Sequence, residues 1–207
     1  MSYIGNKPAN KAVVASDLDP AVITGQTALA TSPASTDEFL ISDAGVLKRL
    51  DASLIGGTNT PAFEAYVNSR QNISDNTDTK VAFDTEVFDT GGQYDHSSNY
   101  RFTPTTAGKY FVYAKGVGMG SGDNSAFATG NINIRKNGSD YVKGRFDNSS
   151  NSINSMYKNI SSVISMNGSG DYVEIFINVN TSSGTPFAEG NGNHVKASLF
   201  GAFKIIE

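Results

Sequence analysis

The chain has no cysteine among its 207 residues. This absence excludes disulfide bonds, thiolate metal sites and a cysteine nucleophile. Basic residues are also few, because 16 Lys and Arg stand against 20 Asp and Glu, for a formal net charge of −4. Without a basic cluster to neutralise phosphates, the sequence predicts no nucleic-acid partner. We expect stability to come from packing and from association between subunits.

Long apolar runs are missing too. No run approaches the roughly 18 residues of a membrane span, and the N-terminus has no apolar stretch after a charged start. The sequence therefore predicts neither membrane insertion nor a secretion signal. Its length suits one domain of about 100–200 residues with an extension.

Catalytic motifs are scarce. The two histidines are His96 and His194, and no Gly-x-Ser-x-Gly elbow accompanies them. Asp95 precedes His96 directly, so the two side chains point to opposite sides of an extended chain. A glycosidase needs two carboxylates flanking a bond, and the sequence does not pair its acids. We find no repeats of the kind that build elongated β-helical depolymerases. The chain is predicted not to be an enzyme.

Two regions of the sequence differ in composition. Residues 1–57 are rich in Ala, Thr and Ser with few aromatics, and they are predicted to be largely extended and unable to fold alone. Residues 58–207 form the predicted domain, with 58–60 as a linker. Within the first region, Asp43-Ala44-Gly45 lies between two apolar runs, which indicates a hairpin with a three-residue turn. A loop followed by a short helix from Val46 to Leu54 fits the same residues.

From Pro61 onward, short apolar or alternating runs are separated by clusters of Gly, Asn, Ser and Asp. This pattern is typical of an all-β sandwich. Two turns are marked by residues that tolerate positive φ, 137–139 and 167–170, and both are predicted to close hairpins. The predicted strands are 62–67, 80–84, 100–103, 109–117, 131–137, 140–146, 156–166, 171–179 and 194–206.

Alternation along the strands separates a core face from an outer face. Val173, Ile175, Ile177 and Val179 share one face of their strand, which we assign to the core. On the opposite faces lie four aromatics, and a shared aromatic face indicates a subunit interface. The predicted trimer interface therefore comprises Phe111, Tyr113, Tyr172 and Phe176. Phe176→Asp is expected to break the trimer.

Calcium is the one cofactor that the sequence suggests. Two loops, 74–80 and 120–125, offer the hard oxygen ligands that Ca²⁺ prefers, from Asp75, Asp78 and Asp123. Turn chemistry explains the same residues, because Asn and Asp side chains bond their own backbone in turns.

Two further loops are rich in amide and hydroxyl groups and contain isolated aromatics. These groups suit saccharide hydroxyls, and loops on a rigid scaffold commonly carry recognition. The candidate binding residues are Tyr157, Phe187, Asn191 and Asn193.

Four segments together resemble a known family over about residues 61–207. They read FDTEVFDTGGQYDHSSNYRFTPTTAGKYFVYA, INIRKNGSDY, SSVISMNGSGDYVEIFINV and HVKASLFGAFKI, and they resemble the globular head shared by the first complement component and tumour necrosis factor. The resemblance implies a jelly roll of about ten antiparallel strands, a compact homotrimer with aromatics at the three-fold axis, and recognition through loops without catalysis. The Asn-, Ser- and Gly-rich loops and the missing collagen-like stalk depart from the family, so the ligand does not carry over.

Residues 37–57, DEFLISDAGVLKRLDASLIGG, resemble attachment regions of bacteriophage tail-fibre proteins. Together the two resemblances imply a phage virion structural protein, such as a fibre, tip or decoration subunit. Residues 1–57 would bind other virion proteins, the trimeric knob would face host-surface glycan, and assembly in the host cytoplasm would explain the missing signal. A bacterial surface lectin-like module is the alternative, and a polysaccharide-degrading enzyme is a third.

Overall fold

The structure is a computed structural model that describes residues 25, 27, 29, 31, 33–34, 36–55, 59–123, 126–192 and 195–205. The chain divides into two compact units, residues 1–56 and 57–207. Within the described ranges, the regular elements are β-strands and one short 3-10 helix. None of the helical segments described is long and apolar enough to cross a membrane.

The described part of the N-terminal unit contains a hairpin. Strands β1 (Glu38–Asp43) and β2 (Val46–Asp51) pair antiparallel, and a 3-10 helix follows at Ala52–Leu54. The hairpin prediction is confirmed, whereas the alternative helix from Val46 to Leu54 is wrong. The turn has two residues instead of three, because Ala44 and Gly45 both adopt positive φ, 51° and 81°. Such turns match the twist of the strands that they join.

The second unit is a sandwich of two antiparallel sheets. The seven-stranded sheet contains β3 (Ala62–Tyr66), β4 (Gln71–Asn72), β6 (Thr85–Asp89), β9 (Gly108–Gly120), β12 (Ser155–Met166), β14 (Phe187–Ala188) and β15 (Leu199–Lys204). Its strand order is β4-β14-β9-β15-β3-β6, and β12 pairs with β9. The long strand β9 therefore pairs with three strands, β12, β14 and β15.

The six-stranded sheet contains β5 (Thr79–Lys80), β7 (Tyr94–Asp95), β8 (Arg101–Phe102), β10 (Phe127–Lys136), β11 (Ser139–Asp147) and β13 (Val173–Thr181). Its order is β11-β10-β13-β8-β7, and β5 also pairs with β13. β10 and β11 form a hairpin whose turn residues, Asn137 and Gly138, have φ of 51° and 80°, as their sequence predicts.

One hydrophobic core fills the space between the sheets. The alternation predicted for β13 is confirmed, since Val173, Ile175, Ile177 and Val179 are all fully buried. Aromatic rings concentrate around Phe63, whose centroid lies 4.4 Å from that of Tyr94 and 4.7 Å from that of Phe102. The all-β jelly-roll prediction is confirmed.

Three local predictions are wrong. Residues 81–84 are not a strand, although Val81 and Phe83 are buried. Residues 167–170 do not close a hairpin, because β12 and β13 belong to different sheets and this turn crosses between them. The last strand is shorter than 194–206 and begins only at Leu199.

Candidate subunit interface and apical cleft

An apolar row crosses the outer face of the seven-stranded sheet. Its members are Val163 on β12, Phe111 on β9 and Phe203 on β15, and the strand register places Phe111 directly opposite both of the others. The rings of Phe111 and Phe203 are 5.5 Å apart. Val163 is 47% exposed in the isolated chain. Apolar side chains that meet across strands and face water mark an interaction surface.

A hydrogen-bonded pair lies beside this row. The Tyr113 hydroxyl donates to Oε2 of Glu64 on β3, at 2.7 Å. Its ring passes over Gly201 of the intervening strand β15, where a Cβ would lie 2.5 Å from the ring. Burial, and then the hydrogen bond to Glu64, raise the pKa of Tyr113 well above its ordinary value. The pair therefore satisfies its polar groups while presenting a flat surface.

Next to Phe111 and Tyr113 the face is hollow. A cavity of about 360 Å³ lies between them and the β12 residues 159–161. The sheet is irregular here, because the pairing of β9 with β12 shifts register between Lys158 and Ile160. A bulge re-aims side chains and commonly borders functional surfaces. The hollow is therefore a concave part of a mainly apolar face.

The other two predicted interface aromatics lie on the opposite side of the molecule. Tyr172 precedes β13 and Phe176 lies within it, in the six-stranded sheet. The guanidinium of Arg101 covers the Tyr172 ring at 4.3 Å, and that of Arg135 covers the Phe176 ring at 3.9 Å. The four aromatics predicted for the interface therefore do not share one face, and a role of Tyr172 and Phe176 in subunit association stays a prediction.

Charges surround Phe176 on the six-stranded face. Arg135 pairs with Asp78 and, at 2.7 Å, with Asp140, and Lys80 pairs with Glu174. The Lys143 ammonium and the Arg135 guanidinium hydrogen-bond to Asp140 and hold its pKa below the usual range. Burying such a network against another subunit would remove its charges from water, at a cost of several kcal/mol per ion. Because of this cost, we expect the six-stranded face to remain in contact with water.

A cleft lies at the far end of β9 from the point where the chain enters the sandwich. Near the start of β9, Lys204 pairs with Tyr110 and the neighbouring Phe203 pairs with Ala62 of β3. At the end of β9, Phe187 and Ser155 both pair with Gly120. Ten residues at about 3.3 Å each separate the two ends by roughly 30 Å. We call this site the apical cleft; its cavity of about 210 Å³ is lined by Arg70, Gly122, Asp123, Asn154, Ser155, Phe187 and Glu189.

Two glycines of β9 make room for the aromatic rings of the apical cleft. A Cβ on Gly120 would lie 2.2 Å from the Phe187 ring, and one on Gly118 would lie 2.8 Å from the Tyr157 ring. The two predicted binding residues, Tyr157 and Phe187, therefore lie beside alternate glycines of β9. Phe187 lines the cavity, and Tyr157 lies outside its lining, next to Glu189. Burial, and then the Glu189 carboxylate, raise the pKa of Tyr157. Its hydroxyl accordingly stays protonated near neutral pH.

Arg70 completes the apical cleft. Its guanidinium stacks 3.8 Å above the Phe187 ring, while its Nη2 and Nε donate to the two Glu189 oxygens at 2.9 and 3.3 Å. A planar guanidinium on an aromatic ring, flanked by a carboxylate and hydroxyls, offers a donor and acceptor array for saccharide hydroxyls. Arg70 and Glu189 were missed in the sequence, because 119 positions separate them.

The remaining loop residues have other roles. The Asn191 side chain accepts a hydrogen bond from the Lys196 amide at 2.6 Å, so it shapes its own loop. Asn193 and His194 lie outside the described residues. The Nδ1 atom of His96 lies 2.7 Å from Oε1 of Glu86.

The side chains of two predicted calcium ligands bind neighbouring protein groups, and the third ligand lies in the apical cleft. Asp75 accepts hydrogen bonds from the Thr181 amide and hydroxyl, and Asp78 pairs with Arg135 and with the Asn178 amide. Asp123 lines the apical cleft. Among the residues with described positions, no three His, Cys, Asp or Glu side chains converge as metal ligands. Asp75, Asp78 and Asp123 therefore do not converge as the ligands of one site.

No protein-family model matches the chain, and no curated protein matches it. Among solved structures, the chain is similar to the globular domain of zebrafish complement 1qA protein, at 15% identity and a TM-score of 0.48, over 72% of this chain and 99% of that one. It is also similar to PRD1 vertex protein P5, at 14% identity and a TM-score of 0.49, over 72% of this chain and 100% of that one. At these identities the similarity concerns the fold alone, and neither protein's ligands or partners transfer to this chain.

Proposed function

We propose that this chain is a non-enzymatic phage virion structural protein, a fibre, tip or decoration subunit. Three copies associate through the outer face of the seven-stranded sheet, residues 1–57 bind other virion proteins, and the apical clefts bind host-surface glycan. The observation that carries the proposal is the apolar row of Val163, Phe111 and Phe203, which the isolated chain leaves facing water.

The position of the two surfaces supports this arrangement. The apical cleft lies at the end of β9 remote from Pro61, where the chain enters the sandwich. Pro61 and the apical cleft therefore lie at opposite ends of the sandwich. Three clefts on one trimer raise avidity by about 10²–10⁴ when the sugars match their spacing. Each single site can then be weak.

Binding, and not hydrolysis, suits the carboxylates of the apical cleft. Both oxygens of Glu189 accept hydrogen bonds from Arg70. A glycosidase needs one carboxylic acid that keeps its proton for the leaving group. Glu189 instead holds the Arg70 guanidinium over the Phe187 ring. A bacterial surface lectin-like module would share this chemistry, and binding of residues 1–57 to virion proteins distinguishes the two roles.

A glycan array probed with the full chain tests the recognition step. Arg70→Gln should weaken binding to any glycan that the wild type retains, and Tyr157→Ala should do the same. Tyr141→Ala is the matched control, since this tyrosine is 50% exposed on β11, outside the apical cleft. Equal binding by all variants would contradict the assignment of the cleft. Release of reducing sugar by the wild type would contradict the non-enzymatic role.

A further inference from the structure

A second concave site lies on the outer face of the six-stranded sheet, and we call it the amide groove. Its cavity of about 300 Å³ is lined mainly by four asparagines and two cations: Asn76, Asn131, Asn178, Asn180, Lys143 and Arg145. The strand register places Asn131 of β10 directly opposite both Arg145 of β11 and Asn178 of β13. Three adjacent strands therefore present a row of guanidinium, amide and amide.

The central amide of this row lacks a partner. The Oδ1 atom of Asn131 is buried, and no donor in the described part of the chain reaches it. A buried acceptor without a donor costs about 1–3 kcal/mol, so native structures rarely keep one without a reason. A ligand that brings a hydroxyl or amide donor into the amide groove removes this cost.

The cation of the row is available to a ligand. The Arg145 side chain is 74% exposed, and its nearest carboxylate, that of Asp147, is 3.9 Å away. Asp147 itself accepts hydrogen bonds from the Ser149 amide and hydroxyl, at 2.9 and 2.6 Å. A guanidinium has five donors in a fork that matches a carboxylate. Lys143 adds a second positive charge, although it also pairs with Asp140 at 2.8 Å.

We propose that the amide groove binds a carboxylated saccharide unit, such as a uronic acid residue of an acidic polysaccharide. Arg145 takes the sugar carboxylate, and a ring hydroxyl donates to the Oδ1 of Asn131 once the ligand has displaced the side chains that cover this atom. This site depends on neither the trimer nor the apical cleft.

Calorimetric titration of the full chain tests this site with oligogalacturonate and with the carboxyl-reduced form of the same oligomer. The acidic probe should bind more tightly, and Arg145→Gln should weaken its binding about tenfold and remove that preference. Asn131→Leu should abolish binding of both probes without lowering the free energy of unfolding, because it also deletes the unpaired acceptor.

Two control variants locate the effect. Arg101→Gln removes a guanidinium from the same sheet but from outside the amide groove, and Tyr157→Ala alters only the apical cleft. Both should bind oligogalacturonate like the wild type. The proposal is overturned if Arg145→Gln binds as tightly as Arg101→Gln, or if the wild type binds neither probe. Loss of binding in Tyr157→Ala alone would overturn the amide groove while supporting the apical cleft.

Discussion

The two outer faces of the sandwich both carry aromatic residues, but the groups that contact the rings differ between the two faces. On the seven-stranded face, Phe111 contacts Tyr113 and Phe203, ring to ring. On the six-stranded face, Tyr172 and Phe176 each lie beneath a guanidinium, at 4.3 and 3.9 Å. Cation–π contacts of this kind let an aromatic ring remain in water beside charge. The group that contacts a ring, another ring or a guanidinium, therefore distinguishes the proposed interface from the solvated face.

The largest expected effect comes from a charge placed on each face in turn. Phe111→Asp should dissociate the trimer, because a carboxylate without a partner would be buried in each subunit at a cost of about 3 kcal/mol or more. Phe176→Asp should remain a trimer, since its carboxylate would face Arg135 in water. This reverses the expectation from sequence for Phe176→Asp. Sedimentation of the two variants checks the contrast, and dissociation of both would contradict it.

Gly201→Ala tests how closely the seven-stranded face is packed. The added Cβ would lie 2.5 Å from the Tyr113 ring and 2.9 Å from the Phe63 carbonyl oxygen. Overpacking of this kind should lower the free energy of unfolding by about 2 kcal/mol. Gly144→Ala in the other sheet is the control, because its Cβ meets Ile132 at an ordinary 3.4 Å. Urea unfolding should give a change of less than about 1 kcal/mol for the control. Equal losses would mean that Tyr113 does not cover Gly201.

Val163→Ser should weaken association without changing the fold. Covering a valine that is 47% exposed in the isolated chain contributes about 1.5 kcal/mol at most, which corresponds to about tenfold in the association constant. Tyr172→Ser removes a larger side chain from the six-stranded face and should leave association unchanged. Dilution series followed by light scattering measure both. A stronger effect from Tyr172→Ser would contradict the proposal, because it would place the interface on the six-stranded sheet.

The smallest expected effects are changes in how the free energy of unfolding depends on pH, and they differ between the two faces. The raised pKa of Tyr113 means that its contribution to stability is complete below about pH 10 and is lost as the pH rises through the folded-state pKa. Tyr113→Phe should therefore flatten the decline of the unfolding free energy above pH 10. An unchanged alkaline slope would contradict the buried pair with Glu64.

The six-stranded face responds at the opposite end of the pH range. The lowered pKa of Asp140 makes its contribution complete above about pH 4, and protonation removes it as the pH falls through the folded-state pKa. Asp140→Asn should flatten the acid slope and leave the alkaline slope alone. Urea unfolding across the pH range measures the free energy of unfolding of both variants. If Tyr113→Phe flattened the acid slope and Asp140→Asn the alkaline slope, the two faces would not differ as described.

Much of the fold was predictable because its signals are local. The alternation of Val173, Ile175, Ile177 and Val179 identifies a core face, and Asn137-Gly138 specifies its own turn. The sheet to which each strand belongs depends on pairing between residues far apart in the chain, as between β3 and β15. Alternation carries no information on that choice, so Phe111 and Phe176 were placed on one surface.

The candidate sites divide in the same way. Tyr157 and Phe187 could be found because aromatics stand out in polar loops. Arg70 and Glu189 could not, since nothing local marks an ion pair across 119 positions. The amide groove was equally hidden, because Asn131, Arg145 and Asn178 become neighbours only through the ladder of β10 with β11 and β13.

The solution mass of the intact chain, measured by light scattering, tests the central claim most directly. The account predicts three times the protomer mass of 21.9 kDa for the wild type, and one protomer mass for Phe111→Asp. A wild-type chain that stays monomeric would contradict it, because the apolar row of Val163, Phe111 and Phe203 would then remain in water.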